Sequence, residues 1–69
     1  MSEEVEKLKN LATNLELSSS EREKAIKALG DVATNEAALA LLDVAGDTRL
    51  LRSERAKAID QARKILKPR

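Results

Sequence analysis

The sequence predicts an all-α fold of four helices arranged as two copies of a helix pair, and three observations predict it. Ser20-Glu21-Arg22-Glu23-Lys24-Ala25-Ile26 returns 33 residues later as Ser53-Glu54-Arg55-Ala56-Lys57-Ala58-Ile59, with one position changed. A period of roughly 20 to 50 residues is the mark of stacked helical units that bury their apolar faces against one another. The apolar residues between these segments recur at spacings of three and four, the spacing of one face of a helix. Finally, the chain has no Phe, Trp, Tyr, Cys or His, so its core is built from Leu, Ile, Val and Ala, whose modest volumes suit closely packed helices. Two copies of a helix pair account for the doubling better than an unrelated four-helix bundle does.

The first helix is expected over about 3–15. Ser2 is a good N-cap, Glu3 and Glu4 sit where the helix dipole favours acids, and Val5, Leu8, Leu11, Ala12 and Leu15 form its apolar stripe. Leu17, in the connection that follows, is placed to plug the hairpin. The second helix, about 20–33, opens on a capping box of Ser20 and Glu23 and buries Ala25, Ile26, Leu29, Val32 and Ala33. Gly30 inside it costs about 1 kcal/mol relative to Ala, which is understandable if a neighbouring helix crosses close to the backbone there.

The third helix, about 36–45, is capped by Asn35 and stops at Gly46. Its only polar residues are Glu36 and Asp43, and a helix apolar nearly all round is contacted on more than one side. Leu39 and Ala40 fall off the main stripe and form a candidate patch, exposed or buried in an interface. The fourth helix, about 53–67, is capped by Ser53, carries the stripe Ala58, Ile59, Ala62, Ile65 and Leu66, and ends before Pro68. The 33-residue shift also lays Glu3 on Glu36, Leu8 on Leu41, Ala12 on Ala45 and Leu17 on Leu50.

These features resemble the HEAT-like repeats, in particular the short-helix kind of bilin-lyase-type proteins. The residues that carry the likeness are Glu21 through Gly30, the apolar helix after them, Gly46-Asp47, and Arg55 with Ala58. The resemblance implies an α-α superhelix, here a mini-solenoid of about two repeats in a single domain over 1–69, and a scaffold or protein-binding role without catalysis. It also implies that Arg22 and Arg55 bridge neighbouring helices, with Asp47 as the carboxylate partner in the second copy. The chain departs from the family pattern at Glu21 and Glu54, where an apolar residue is usual, and at Asn14, which replaces the Asp in the first copy. Helix geometry points the same way for the two arginines: each lies in the middle of an apolar stripe, where an unpaired charge is very costly.

Composition narrows the function further. Without His or Cys there is no Zn constellation, no Ser or Thr has an activating base, and Gly30 and Gly46 make no phosphate-binding loop. An enzyme is not expected, nor is any cofactor. No apolar run approaches the roughly 20 residues of a membrane span, and an acidic start where a signal peptide would be basic points to the cytoplasm. The formal net charge of +1 conceals an asymmetry: residues 1–48 carry five Lys/Arg against ten Asp/Glu, and residues 49–69 carry eight against two. The candidate partner-binding residues are therefore Leu39, Arg49, Arg52, Lys57, Arg63, Lys64 and Lys67. A protein partner is favoured over nucleic acid, because no stacking or base-reading residue accompanies the charge; self-association through the complementary ends is the further option.

Overall fold

The computed structural model describes residues 2–67. Four helices account for the regular structure among them: α1 (Glu3–Ala12), α2 (Ser19–Val32), α3 (Asn35–Ala45) and α4 (Arg52–Leu66). The fold is all-α. Successive helices pair as hairpins, α1 with α2 and α3 with α4, and the second hairpin packs on the first with α4 against α2 and α3 against α1. Diagonally, α2 meets α3, whereas α1 and α4 do not approach each other. The result is two stacked hairpins within a molecule of 36 × 24 × 17 Å.

The helix ends follow local hydrogen bonding. At α1 the Ser2 hydroxyl accepts from the Val5 N–H, as its sequence suggests. The helix stops at Ala12 rather than 15. Asn14 Oδ1 takes the Glu16 N–H at 2.9 Å and folds the chain into a turn, which leaves Leu15 exposed instead of in the core. The cap of α2 is Ser18, two residues before the expected Ser20: its hydroxyl accepts from Glu21 N, and Glu21 Oε1 accepts from Ser18 N. Ser18 and Ser20 both have Glu three residues later, and the earlier pair opens the helix while Glu23 turns to Lys57 at 3.2 Å. Thr34, not Asn35, caps α3 through its bond from Ala37 N. At α4 the Ser53 expectation moves back to Leu51, whose N–H donates to Glu54 Oε1 at 2.9 Å.

Ala33, expected in the buried stripe of α2, instead ends that helix at φ 58° and is exposed. A left-handed alanine costs about 1–2 kcal/mol relative to a right-handed one, and the turn into Thr34 imposes it. Gly46 ends α3 as expected but at φ −84°, so its backbone is one that any residue adopts. The expectation about Pro68 lies outside the described residues.

The core is aliphatic. Val5, Ile26, Leu29, Leu41 and Val44 are its largest fully buried apolar side chains, joined by Ala12, Ala37, Ala58 and Ala62. Each large aliphatic contributes about 1.5–3 kcal/mol on burial. Gly30 is buried against α4: a Cβ built there would stand 3.2 Å from the Gln61 Cβ and collide with the Gln61 amide. The close helix crossing inferred from that glycine is therefore present. No helix of the described residues is long and apolar enough to cross a membrane.

Candidate functional site

Two of the expected core residues of α4, Ile59 and Leu66, are 44% and 52% exposed. The reason lies in helix geometry. At about 100° per residue, Glu54, Ala58 and Gln61 occupy the face of α4 that meets α2, and Ile59, Arg63 and Leu66 occupy the opposite one. With Leu42 of α3 they line an open groove of about 530 Å³ on the outer side of the second hairpin, edged by Lys64 and Lys67. A second groove, of about 450 Å³, lies on the outer side of the first hairpin between Leu8, Leu11, Leu17, Glu21, Ala25 and Ala28. Leu11, also expected in the core, is 45% exposed there.

Between the hairpins sits a buried ion pair. The Arg22 Nε and Nη2 groups reach Glu54 Oε2 at 3.0 and 2.8 Å, and Arg22 Nη1 donates to the backbone carbonyls of Asn14 and Leu17 at 3.2 and 2.6 Å. One guanidinium thus holds the α1–α2 turn to the first turn of α4. Glu54 has no exposed surface, and no buried side-chain nitrogen or oxygen among the described residues lacks a partner. Burial pushes the Glu54 carboxyl up, but the bonds from Arg22, Ser19 and the Leu51 N–H outweigh it and hold the group below its usual 4.5.

The pairing implied for the second copy is different from the one observed. Asp47 is paired with Arg49, through Nε at 3.0 Å and Nη2 at 2.7 Å, rather than with Arg55. The Arg49 side chain holds the Asp47 carboxyl below its usual 3.8 despite some burial. Arg49 follows Asp47 by two residues in the same turn and reaches it first, so Arg55 Nε donates instead to the Ala45 carbonyl at 2.7 Å. Arg22 ties its helix to the α1–α2 connection and Arg55 ties its helix to the last residue of α3, and of the two only Arg22 also pairs with a carboxylate among the described residues.

The candidate partner-binding residues separate into several places. Arg63, Lys64 and Lys67 edge the groove on the second hairpin. Arg52 shares the α4 face of Arg63 at the other end of the helix, and Arg49 lies in the α3–α4 turn, engaged by Asp47. Lys57 is on the inner side, paired with Glu23, and takes no part in the outer surface. Leu39 is 63% exposed beside the groove, whereas its neighbour Ala40 is buried. No cluster of three or more His, Cys, Asp and Glu among the described residues is placed to hold a metal.

Sequence reasoning missed Glu54 as the partner of Arg22, and Ile59, Leu66 and Leu11 as surface. The signal for Glu54 was present: an acid stands in both copies where the resembled family carries an apolar residue. Comparisons with protein-family models, with curated proteins and with solved structures find no match.

Proposed function

We propose that the chain is a non-catalytic protein-binding module of the HEAT-like, two-repeat kind, with the outer face of α3–α4 as its binding surface. The observation that carries this reading is the groove of Leu42, Ile59 and Leu66 edged by Arg63 and Lys67. An apolar strip rimmed by charge is the anatomy of a protein interface, and it suits a partner that offers apolar side chains within an acidic rim. The split of the basic residues favours protein over nucleic acid, because Lys57 and Arg49 are committed to intramolecular acids and leave no continuous phosphate-tracking stripe.

The test is a pull-down comparing the wild type with Ile59→Lys and Arg63→Glu, and with Lys27→Ala on the exposed side of α2 as control. A protein retained by the wild type and the control and lost with both groove variants supports the module. Oligonucleotide binding that falls steeply with salt and survives Ile59→Lys would replace it with a nucleic-acid function.

A further inference from the structure

The two open grooves are related by the same 33-residue shift that relates the hairpins. Ile59 stands where Ile26 stands in the first copy, and Ile26 is 1% exposed because α4 covers it. Leu11 stands where Val44 stands in the second copy, and Val44 is fully buried because the first hairpin covers it. Ile59 and Leu11 are therefore residues whose counterparts the neighbouring copy buries, whereas the counterpart of Leu66 is the exposed Ala33 at the end of α2. The outer face of α3–α4 corresponds to the inner face of α1–α2, and the outer face of α1–α2 corresponds to the inner face of α3–α4.

The buried ion pair has its counterparts on those outer faces, each half formed. Glu21 is the equivalent of Glu54. Its Oε1 accepts the cap N–H at 2.9 Å, as Glu54 Oε1 does, while its Oε2, the atom that in Glu54 receives the arginine, has no ion-pair partner among the described residues. Arg55 is the equivalent of Arg22. Its Nε is held by the Ala45 carbonyl, and its two Nη groups donate to nothing among the described residues. Glu21 and Arg55 lie on opposite sides of the buried Arg22–Glu54 pair, one facing the outer groove of the first hairpin and the other engaged with α3, and they make no ion pair with each other.

We propose that a second copy of this chain is the occupant of each groove, docked head to tail so that Arg55 of one molecule pairs with Glu21 of the next. The inference rests on the protein-binding reading and names its partner. The new interface repeats the internal one. Ile59, Leu66 and Leu42 cover Leu11, Leu17 and Ala25 of the neighbour. The tight Gly30–Gln61 crossing becomes Arg63 over Ala28, with the small residue on the other side. Two internal ion pairs do not recur, since Lys9–Asp43 becomes Leu42 with Asn10 and Glu23–Lys57 becomes Ala56 with Lys24. The intermolecular contact is thus more apolar and less charged than the internal one. The two hairpins are opposed in charge, with five Lys/Arg against seven Asp/Glu in residues 1–34 and eight against five in residues 35–69, which favours this polarity over a two-fold arrangement that would bring like faces together.

Head-to-tail contact has a signature that two-fold contact lacks. Ala28→Arg blocks one face by placing a cation under Arg63, and Ile59→Lys blocks the other; both positions have exposed surface, so unchanged helical circular dichroism serves as the folding control. Sedimentation of the wild type over a micromolar-to-millimolar series is expected to give species beyond the dimer. Each variant alone is expected to stay monomeric, and an equimolar mixture to form a 1:1 dimer and nothing larger, because each supplies the face the other lacks. Glu21→Gln keeps the cap and is expected to weaken association by about tenfold or more. A wild type that remains monomeric throughout overturns self-docking while leaving a heterologous protein partner open to the pull-down. A wild type that stops at dimer, a mixture that stays monomeric, or a Glu21→Gln variant that associates like the wild type also overturns this geometry.

Discussion

Arg22 and Glu54, 32 residues apart in the chain, form a buried pair in which a single carboxylate oxygen receives two guanidinium nitrogens at 3.0 and 2.8 Å. The other carboxylate oxygen caps α4 and the remaining guanidinium nitrogen holds the α1–α2 turn. Three joints of the fold therefore meet in two side chains.

Removal of one partner leaves a buried charge, at a loss of about 3–5 kcal/mol. A domain of this size has about 3–10 kcal/mol in total. Arg22→Met is expected to lose about a third or more of that stability, read as a lower urea midpoint by circular dichroism, and Arg22→Met with Glu54→Gln to recover part of the loss, since Gln retains the cap.

Acid should unfold the protein through the same residue. The Glu54 carboxyl titrates below 4.5 in the folded state, so at acid pH the unfolded chain binds more protons and stability falls as pH falls. The contribution is fully present above about 4.5, the value in the unfolded chain, and is lost as pH drops through the lower folded value. Glu21 and Asp47, also held low, act in the same direction. With no His in the chain, the melting temperature is expected to be level from about pH 6 to 8 and to decline below 4.5. Glu54→Gln should flatten that decline.

Ala33 offers a gain. Its left-handed backbone is one that glycine adopts without strain, and its side chain is exposed. After allowance for the looser unfolded chain, Ala33→Gly is expected to add about 0.5–1 kcal/mol, measured as a higher urea midpoint at an unchanged slope.

Gly30 is the opposite case. Gly30→Leu would force α2 away from α4 at the Gln61 contact. The expected loss is about 1–3 kcal/mol in urea unfolding, although leucine favours helix more than glycine does.

Much of this was legible in the sequence. Helix number, the close approach at Gly30, and the bridging role of Arg22 and Arg55 follow from spacing and from the cost of lone buried charge. The cap of α2 differs from the expectation because Ser18 and Ser20 are both competent hydroxyls with a Glu three residues later, and spacing alone does not choose between them. Ile59, Leu66 and Leu11 were read as core because periodicity reports which residues share a face and not whether anything covers that face. Asp47 was assigned to Arg55 by likeness, but Arg49, two residues away, is nearer in the turn and takes it.

The separation of α1 from α4 has a consequence for how such a chain can lengthen. A bundle whose first and last helices touch is a closed ring, and an added helix must break a contact to enter. Here that contact does not exist, so a further helix pair laid against either outer face would have no contact between first and last helix to break.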